Sequence, residues 1–228
     1  MNQSLFQLSS SAVNDDDLKI VRRKPLYRGH FRLDLYRFRH RLHAGGWSKI
    51  IGREIFDRGN AVALLLYDPD RDTVVLVEQF RLPAMLGGAP AWQIEPVAGL
   101  LDQEGESEEA VARREAQEEA GLTITGELIP MHRLSSSPGA LTEQVALYCA
   151  RVDSRRAGGV HGLAAEGEDI KVLAKPMAEA MRMLRAGEIT NSTCVVALYW
   201  LAANRARLRR RWLQARRKPQ LAAKSSRA

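Results

Sequence analysis

GLLDQEGESEEAVARREAQEEAGL, residues 99–122, is the stretch that decides how this chain folds. Two glycines, Gly99 and Gly121, bracket a helix-like run in which Arg114, Glu115, Glu118 and Glu119 crowd together. Residues three and four apart share one face of an α-helix, so Glu115, Glu118 and Glu119 are expected to project into one volume. Ala110, Val111, Ala112 and Ala116 are expected to face a core. Three carboxylates this close repel unless cations sit between them. Their hard oxygens suit Mg²⁺, with Mn²⁺ as the alternative, better than a metal that prefers nitrogen or sulfur. Arg114 stands four residues before Glu118, the spacing of a helical ion pair that would lock one rotamer.

The rest of the 228 residues suit one ample domain, or a domain with a smaller appendage. The longest apolar run, residues 194–203, is about half of the roughly 20 residues a membrane helix needs, so no membrane partner is expected. The polar start, followed by Asp15, Asp16 and Asp17, does not read as a signal peptide, and cytoplasmic residence is expected. Cys149 and Cys194, with no Cys or His at ligand spacing, read as core thiols. The net charge is +7, but eight of the cations lie between Arg205 and Lys218, and without them the chain stands at −1. The excess therefore belongs to a helix end, where cations are favourable, and nucleic acid is not the expected partner.

In chain order, residues 1–18 read as a disordered tail and 19–58 as a small antiparallel β arm, too small to be stable without something to pack on. Within the arm, Phe31–Phe38 alternates and Ser48–Phe56 returns. Residues 59–212 read as the main domain. Ala61–Tyr67 and Thr73–Val77 predict a hairpin buried on both faces at the centre of a sheet. Trp92–Ala98 delivers the chain to Gly99, which makes the Ala98 carbonyl a candidate ligand. Thr123–Leu134, Glu143–Val152 and Ile170–Ala174 predict further strands. Arg151–Gly167 is a glycine-bearing loop too long for a mere connector, ending in the acidic stretch Ala165–Asp169. Pro176 opens a helix to Arg185, and a last helix starting near Asn191 presents Ala197, Leu201, Leu208 and Trp212 on one face. Residues 213–228 read as a basic disordered tail.

From Glu106 to Leu122 the chain resembles the Nudix box, G-x5-E-x7-R-E-U-x-E-E-x-G-U, where U is a bulky apolar residue. It departs in two places: Ala116 is small for the apolar slot, and six residues instead of five separate Gly99 from Glu106. The resemblance extends to the ADP-ribose pyrophosphatase branch of that family. It rests there on Pro138, sixteen residues after Leu122, on Leu26–His40 as an N-terminal arm, on Glu78–Arg81 as a substrate-edge strand, and on Gly162–Val172 as a mobile catalytic loop.

That resemblance implies an α/β (α+β) fold, an α/β/α sandwich around a mixed sheet, with the arm exchanged between the subunits of a homodimer. It implies hydrolysis of a nucleotide sugar, ADP-ribose, to AMP and ribose 5-phosphate. Ala98, Glu115 and Glu119 would hold the metals, with Glu118 and Glu168 assisting; Glu166 would be the general base and Arg114 would order the box. His30, Arg53, Arg81 and Glu143 would bind the substrate. The alternatives are a GDP-mannose or UDP-sugar diphosphatase, an RNA pyrophosphohydrolase, or a non-catalytic ADP-ribose sensor. Taken alone, Arg53, Arg81 and Glu143 also fit ordinary sheet or turn ion pairs.

Overall fold

The computed structural model describes residues 16–103 and 105–225, with only the backbone described from 214 onward. The chain divides into two compact units. The first comprises residues up to 61 together with 100–103 and 133–145; the second comprises 62–99, 105–132 and 146 onward.

The first unit is built on a three-stranded antiparallel sheet, β1 (Leu18–Arg28), β2 (Arg32–His40) and β3 (Ile51–Asp57), in that order. β1 has no clear alternation in its sequence. It carries five cations and Pro25, is exposed along nearly its whole length, and has register shifts between Ile20 and Arg22 and between Pro25 and Tyr27. Pairing to β2, not burial, makes it a strand. Asp34 is the buried anchor of the sheet: Arg23 donates to it from Nε at 2.9 Å, and Arg28 also pairs with it. Burial pushes the Asp34 carboxyl up, but the hydrogen bonds from Arg28 and Arg23 outweigh this and hold it below the usual carboxylate range. The disorder expected over residues 1–18 falls, up to residue 15, outside the described residues; Leu18 already belongs to β1.

The second unit holds the hairpin expected from sequence, β4 (Ala61–Asp68) and β5 (Thr73–Phe80), paired antiparallel. Leu64, Leu65 and Leu66 are fully buried, contributing about 2 kcal/mol each. β6 (Trp92–Glu95) pairs with β5, and β7 (Val97–Leu100) with β4. With β8 (Ile129–Ser135), β9 (Gln144–Arg151), β10 (Val160–His161) and β11 (Ile170–Pro176), the path across the sheet is β10-β11-β5-β4-β9-β8.

Among the described residues, four helices join it. α1 (Leu82–Leu86) is short; α2 (Glu108–Ala120) packs on β10 and β11; α3 (Met177–Arg185) packs on β5 and β11; and α4 (Ser192–Ser225) packs on β6. The sheet flanked by helices is the α/β sandwich expected. Ala197, Leu201, Leu208 and Trp212 are all buried, as the helical spacing predicts. Cys149 and Cys194 are buried and free. No helix among the described residues is long and apolar enough to cross a membrane.

Three readings need correction. The strand expected over 123–134 begins only at Ile129: before it, the Ile124 and Gly126 carbonyls accept from the Arg113 guanidinium at 3.3 and 2.6 Å and not from a neighbouring strand. The 151–167 loop is largely built: it contains a 3-10 turn at Ser154–Arg156, strand β10, and a second 3-10 turn at Ala164–Glu166. The tail read as disordered from 213 continues α4 as far as Ser225, through residues rich in the helix formers Ala, Arg, Gln and Lys.

Asp68, at the end of β4, is 2% exposed. It accepts from the Ser154 hydroxyl at 2.7 Å and backbone N–H at 3.0 Å, and from the Asp70 and Arg71 N–H groups at 2.9 and 3.1 Å. Burial pushes this carboxyl up, but the Ser154 hydroxyl and the three N–H groups win and hold it low. Asp68→Ala leaves those donors unpaired and is expected to cost about 3 kcal/mol in urea denaturation. A carboxyl held low stabilises above its unfolded value and loses that contribution as pH falls through the folded one. The gap between wild type and variant is therefore expected to shrink below about pH 4.

Candidate active site

Local chemistry places α2 before any tertiary contact does. The Ser107 hydroxyl caps it by accepting the Ala110 N–H at 3.2 Å, and Glu108 and Glu109 occupy its first turn, where negative charge is favoured. Gly121, at φ 63°, ends it: its N–H returns to the Gln117 carbonyl at 3.0 Å, and Leu122 returns to Ala116 at 3.0 Å. Val111, Ala112, Ala116 and Ala120 are buried, whereas Ala110, expected to face the core, is exposed. Ala116 is fully covered, so a short side chain is what this helix packs with.

The carboxylates gather as their spacing requires. Arg114 Nη1 lies 2.8 Å from Glu118 and 2.9 Å from Glu115, and its Nε lies 3.4 Å from Glu106. Glu119 is 3% exposed and accepts the Ala98 N–H at 3.0 Å, which ties β7 to the helix. At the next residue, a Cβ on Gly99 would run into the Glu115 carboxylate; glycine is what lets backbone and carboxylate come so close. Glu168 accepts the Leu163 N–H at 2.9 Å, and its charge is felt at both Glu115 and Glu119. The loop that carries it is pinned to α2, where the Gly162 N–H donates to the Glu118 carbonyl at 3.1 Å.

Electrostatics follow from this crowding. Burial pushes the Glu115 carboxyl up to about 7, against the pull of Arg114 and with a further push from Glu118 and Glu168. Burial pushes Glu119 up to about 8, against the Ala98 N–H, with Glu115 and Glu168 adding and Arg81 drawing it back. Each of these carboxylates is turned onto a protein donor, and no three His, Cys, Asp or Glu side chains among the described residues stand arranged around an ion. The donor set nonetheless suits a hard divalent cation: it is all oxygen, mutually repelling, half-buried, and approached by a glycine backbone.

The other residues singled out in the sequence are placed as follows. Glu166 ends the second 3-10 turn, exposed, two residues before Glu168. In the first unit, His30 is exposed and packs on Phe31 with ring centroids 4.4 Å apart; Arg53 is exposed; Glu143 is buried, 3.4 Å from Arg58. In the second unit, Arg81 pairs with Glu95 at 2.8 Å. Glu95, Gln79 and Asn191 form a network that the sequence reading missed. Its one trace in sequence is polar residues at alternate positions, Gln79 on β5 with Arg81 just past its end, and Gln93 and Glu95 on the partner strand, where a buried strand would be apolar. A cavity of about 640 Å³ bounded by Asp68, Arg71, Thr123, Arg151 and Arg156 shares no lining residue with the carboxylate cluster.

Residues 57–182 match the NUDIX domain. The chain belongs to the NUDIX family. It is 46% identical over 197 residues to a protein of Escherichia coli strain K12 called ADP-ribose pyrophosphatase, with 86% of this chain and 93% of that protein covered. A Haemophilus influenzae protein of the same name is 39% identical over 204 residues, covering 87% and 92%. A Citrobacter koseri GDP-mannose pyrophosphatase is 41% identical over 151 residues, covering 65% and 76%. A solved structure described as an ADP compounds hydrolase superposes with a TM-score of 0.61 at 20% identity, over 88% of this chain and 96% of that one, and so shares the fold. In NUDIX terms the extra residue before Glu106 falls outside both β7 and α2, and leaves the spacing of the box glutamates intact.

The raised carboxyls give a metal-free prediction. Glu115 and Glu119 hold protons in the folded protein up to about 7 and 8, whereas unfolded glutamates release them near 4.5. Between those values the unfolded chain binds fewer protons, so stability is expected to fall as pH rises from about 4.5 to 8. Glu119→Gln should flatten the upper part of that slope. Urea denaturation in EDTA across this range checks it; a wild-type stability that is level or rising there is the contrary result.

Proposed function

We propose that this NUDIX protein hydrolyses the pyrophosphate of ADP-ribose to AMP and ribose 5-phosphate with Mg²⁺, and does so as a cytoplasmic homodimer. The observation that carries the reading is the 46% identity over 93% of the Escherichia coli ADP-ribose pyrophosphatase, joined to a box in which no acidic residue is missing. Glu115, Glu119 and the Ala98 carbonyl would hold the cation, with Glu118 and Glu168 beside them; Mn²⁺ fits the same oxygens. When bound, such an ion neutralises the diphosphate and lowers the pKa of a nearby water.

The chain's own residues do the rest. Arg114 keeps Glu115 and Glu118 in fixed rotamers, so their oxygens need no ordering when substrate arrives. Arg81, with its guanidinium half-exposed, offers donors to a phosphate or nucleoside oxygen. Glu166 takes the proton of the attacking water as the new P–O bond forms and the bridging P–O bond breaks, its electron pair leaving on the phosphate oxygen of the departing nucleotide or sugar phosphate. The exposure of Glu166 on a glycine-bounded turn lets the loop deliver it once substrate is in place. His30, Arg53 and Glu143 hold the nucleoside and ribose. The dimer is supported by the first unit's sheet, which leaves Ile20, Val21 and Tyr27 more than half exposed on β1, and so small a sheet with apolar side chains exposed needs cover.

Steady-state assays of ADP-ribose, GDP-mannose and UDP-glucose with Mg²⁺ test the substrate. ADP-ribose is expected to lead, and a tenfold higher kcat/KM for either rival, about 1.4 kcal/mol of transition-state preference, overturns the assignment. Glu166→Gln is expected to lower kcat by roughly 10² to 10⁴ while KM stays within a few-fold. Wild-type kcat in that variant moves the base elsewhere. Light scattering of the full chain is expected to report a dimer, and a fully active monomer at nanomolar concentration contradicts it.

A further inference from the structure

We infer that Glu95 is a positioning residue that fixes the Arg81 guanidinium for the substrate, and that Asn191, at the start of α4, holds Glu95 in place for it. The inference rests on the reading of Arg81 as a substrate-binding group given above.

Glu95 is buried at the end of β6, and both its oxygens are engaged. Asn191 Nδ2 donates to Oε1 at 3.1 Å, and Gln79 Nε2 donates to Oε2 at 3.1 Å. Held from two sides, the carboxylate cannot turn. Arg81 then places Nε at 3.1 Å and Nη2 at 2.8 Å on the same Oε2. A guanidinium has five N–H donors in a rigid fork, so this grip leaves Nη1 and the second Nη2 hydrogen for another acceptor in a fixed plane. The main chain is fixed as well, since the Arg81 N–H donates to the Ala91 carbonyl at 2.7 Å. The charge so placed is felt at Glu119, in the carboxylate cluster.

The neighbouring groups show why a carboxylate stands at this point. Two residues back along the same strand, Gln93 meets Pro90 and Thr190 at 2.6 and 2.9 Å with a neutral amide. Neutral groups therefore satisfy this buried strip where no cation needs holding. An arginine left free loses rotamer freedom each time it binds a ligand, and a pre-ordered one does not. The gain appears equally in the bound substrate and in the transition state, so it belongs in KM and not in kcat. Asn191 serves twice: its Oδ1 accepts the Cys194 N–H at 2.9 Å and caps α4, while its Nδ2 reaches Glu95.

A double-mutant cycle tests this, using whichever nucleotide sugar of the panel the wild type cleaves best, so that a wrong substrate assignment does not decide it. Arg81→Ala and Glu95→Gln are each expected to raise KM tenfold or more with kcat within about threefold. Adding Glu95→Gln to Arg81→Ala is expected to change KM by less than twofold, because the carboxylate acts through the guanidinium. A purely structural Glu95 would give effects that multiply, and that result, or a wild-type KM in Glu95→Gln, overturns the inference. Should Glu95→Gln fail to fold, Asn191→Ser retains a capping oxygen and removes the amide donor. It is expected to raise KM in the wild-type background and not in Arg81→Ala, and an equal rise in both is the contrary result. A wild-type KM in Arg81→Ala removes the substrate role of Arg81 and the inference with it, while leaving the NUDIX chemistry standing.

Discussion

Like charge held together on a partly buried helix face is the constraint on which the second unit depends. Glu115, Glu118 and Glu119 fall on one side of α2 because a helix repeats every 3.6 residues, and burial pushes two of their carboxyls up to about 7 and 8. A face of this kind is unstable unless something opposes it. Three oppositions are visible: Arg114 bridging the carboxylates, the Ala98 N–H on Glu119, and the Leu163 N–H on Glu168. Each is a donor from the protein itself, and together they hold the carboxylates in fixed positions.

Rigid elements surround this face on all the sides that matter to it. The β4–β5 hairpin, buried along β4 and through the middle of β5, carries polar residues at its ends, Asp68 at one end and Gln79, followed by Arg81, at the other. β7 brings a glycine backbone against Glu115, and the C-cap of α2 sits against His161, whose ring a Cβ at Gly121 would strike. β10 is only two residues long, yet its pairing to β11 and the Gly162 N–H on the Glu118 carbonyl tie the acidic loop to the helix it serves. The loop is therefore anchored at its base and exposed at Glu166.

The basic C-terminal helix is less free than its composition suggests. Arg205 lies 3.2 Å from Asp72, Arg209 donates to the Pro69 carbonyl at 3.0 Å, and Arg211 pairs with Glu127. Arg151 reaches the Trp212 carbonyl at 3.1 Å. These contacts make part of the cationic run a brace for the turn after β4. The net charge of +7 thus describes internal packing as much as any attraction to a polyanion.

The sequence by itself determined the box helix, its glutamate spacing, the buried hairpin and the apolar face of α4, because each is a local period that backbone geometry converts directly into a face. The same periodicity misplaced Ala110, since a helix has more than one flank and only packing decides which is covered. β1 was beyond it: a cationic, bulged and exposed strand has no pattern to read, and only pairing with β2 makes it one. Glu95 was beyond it for a related reason. Its partners Gln79, Arg81 and Asn191 lie 14 to 96 residues away in sequence, and the alternating polar positions show that something polar is buried there without showing which groups meet. Local rules fix faces; which faces meet, and which carboxylate meets which arginine, is decided when the β5–β6 pair and the start of α4 come together in the fold.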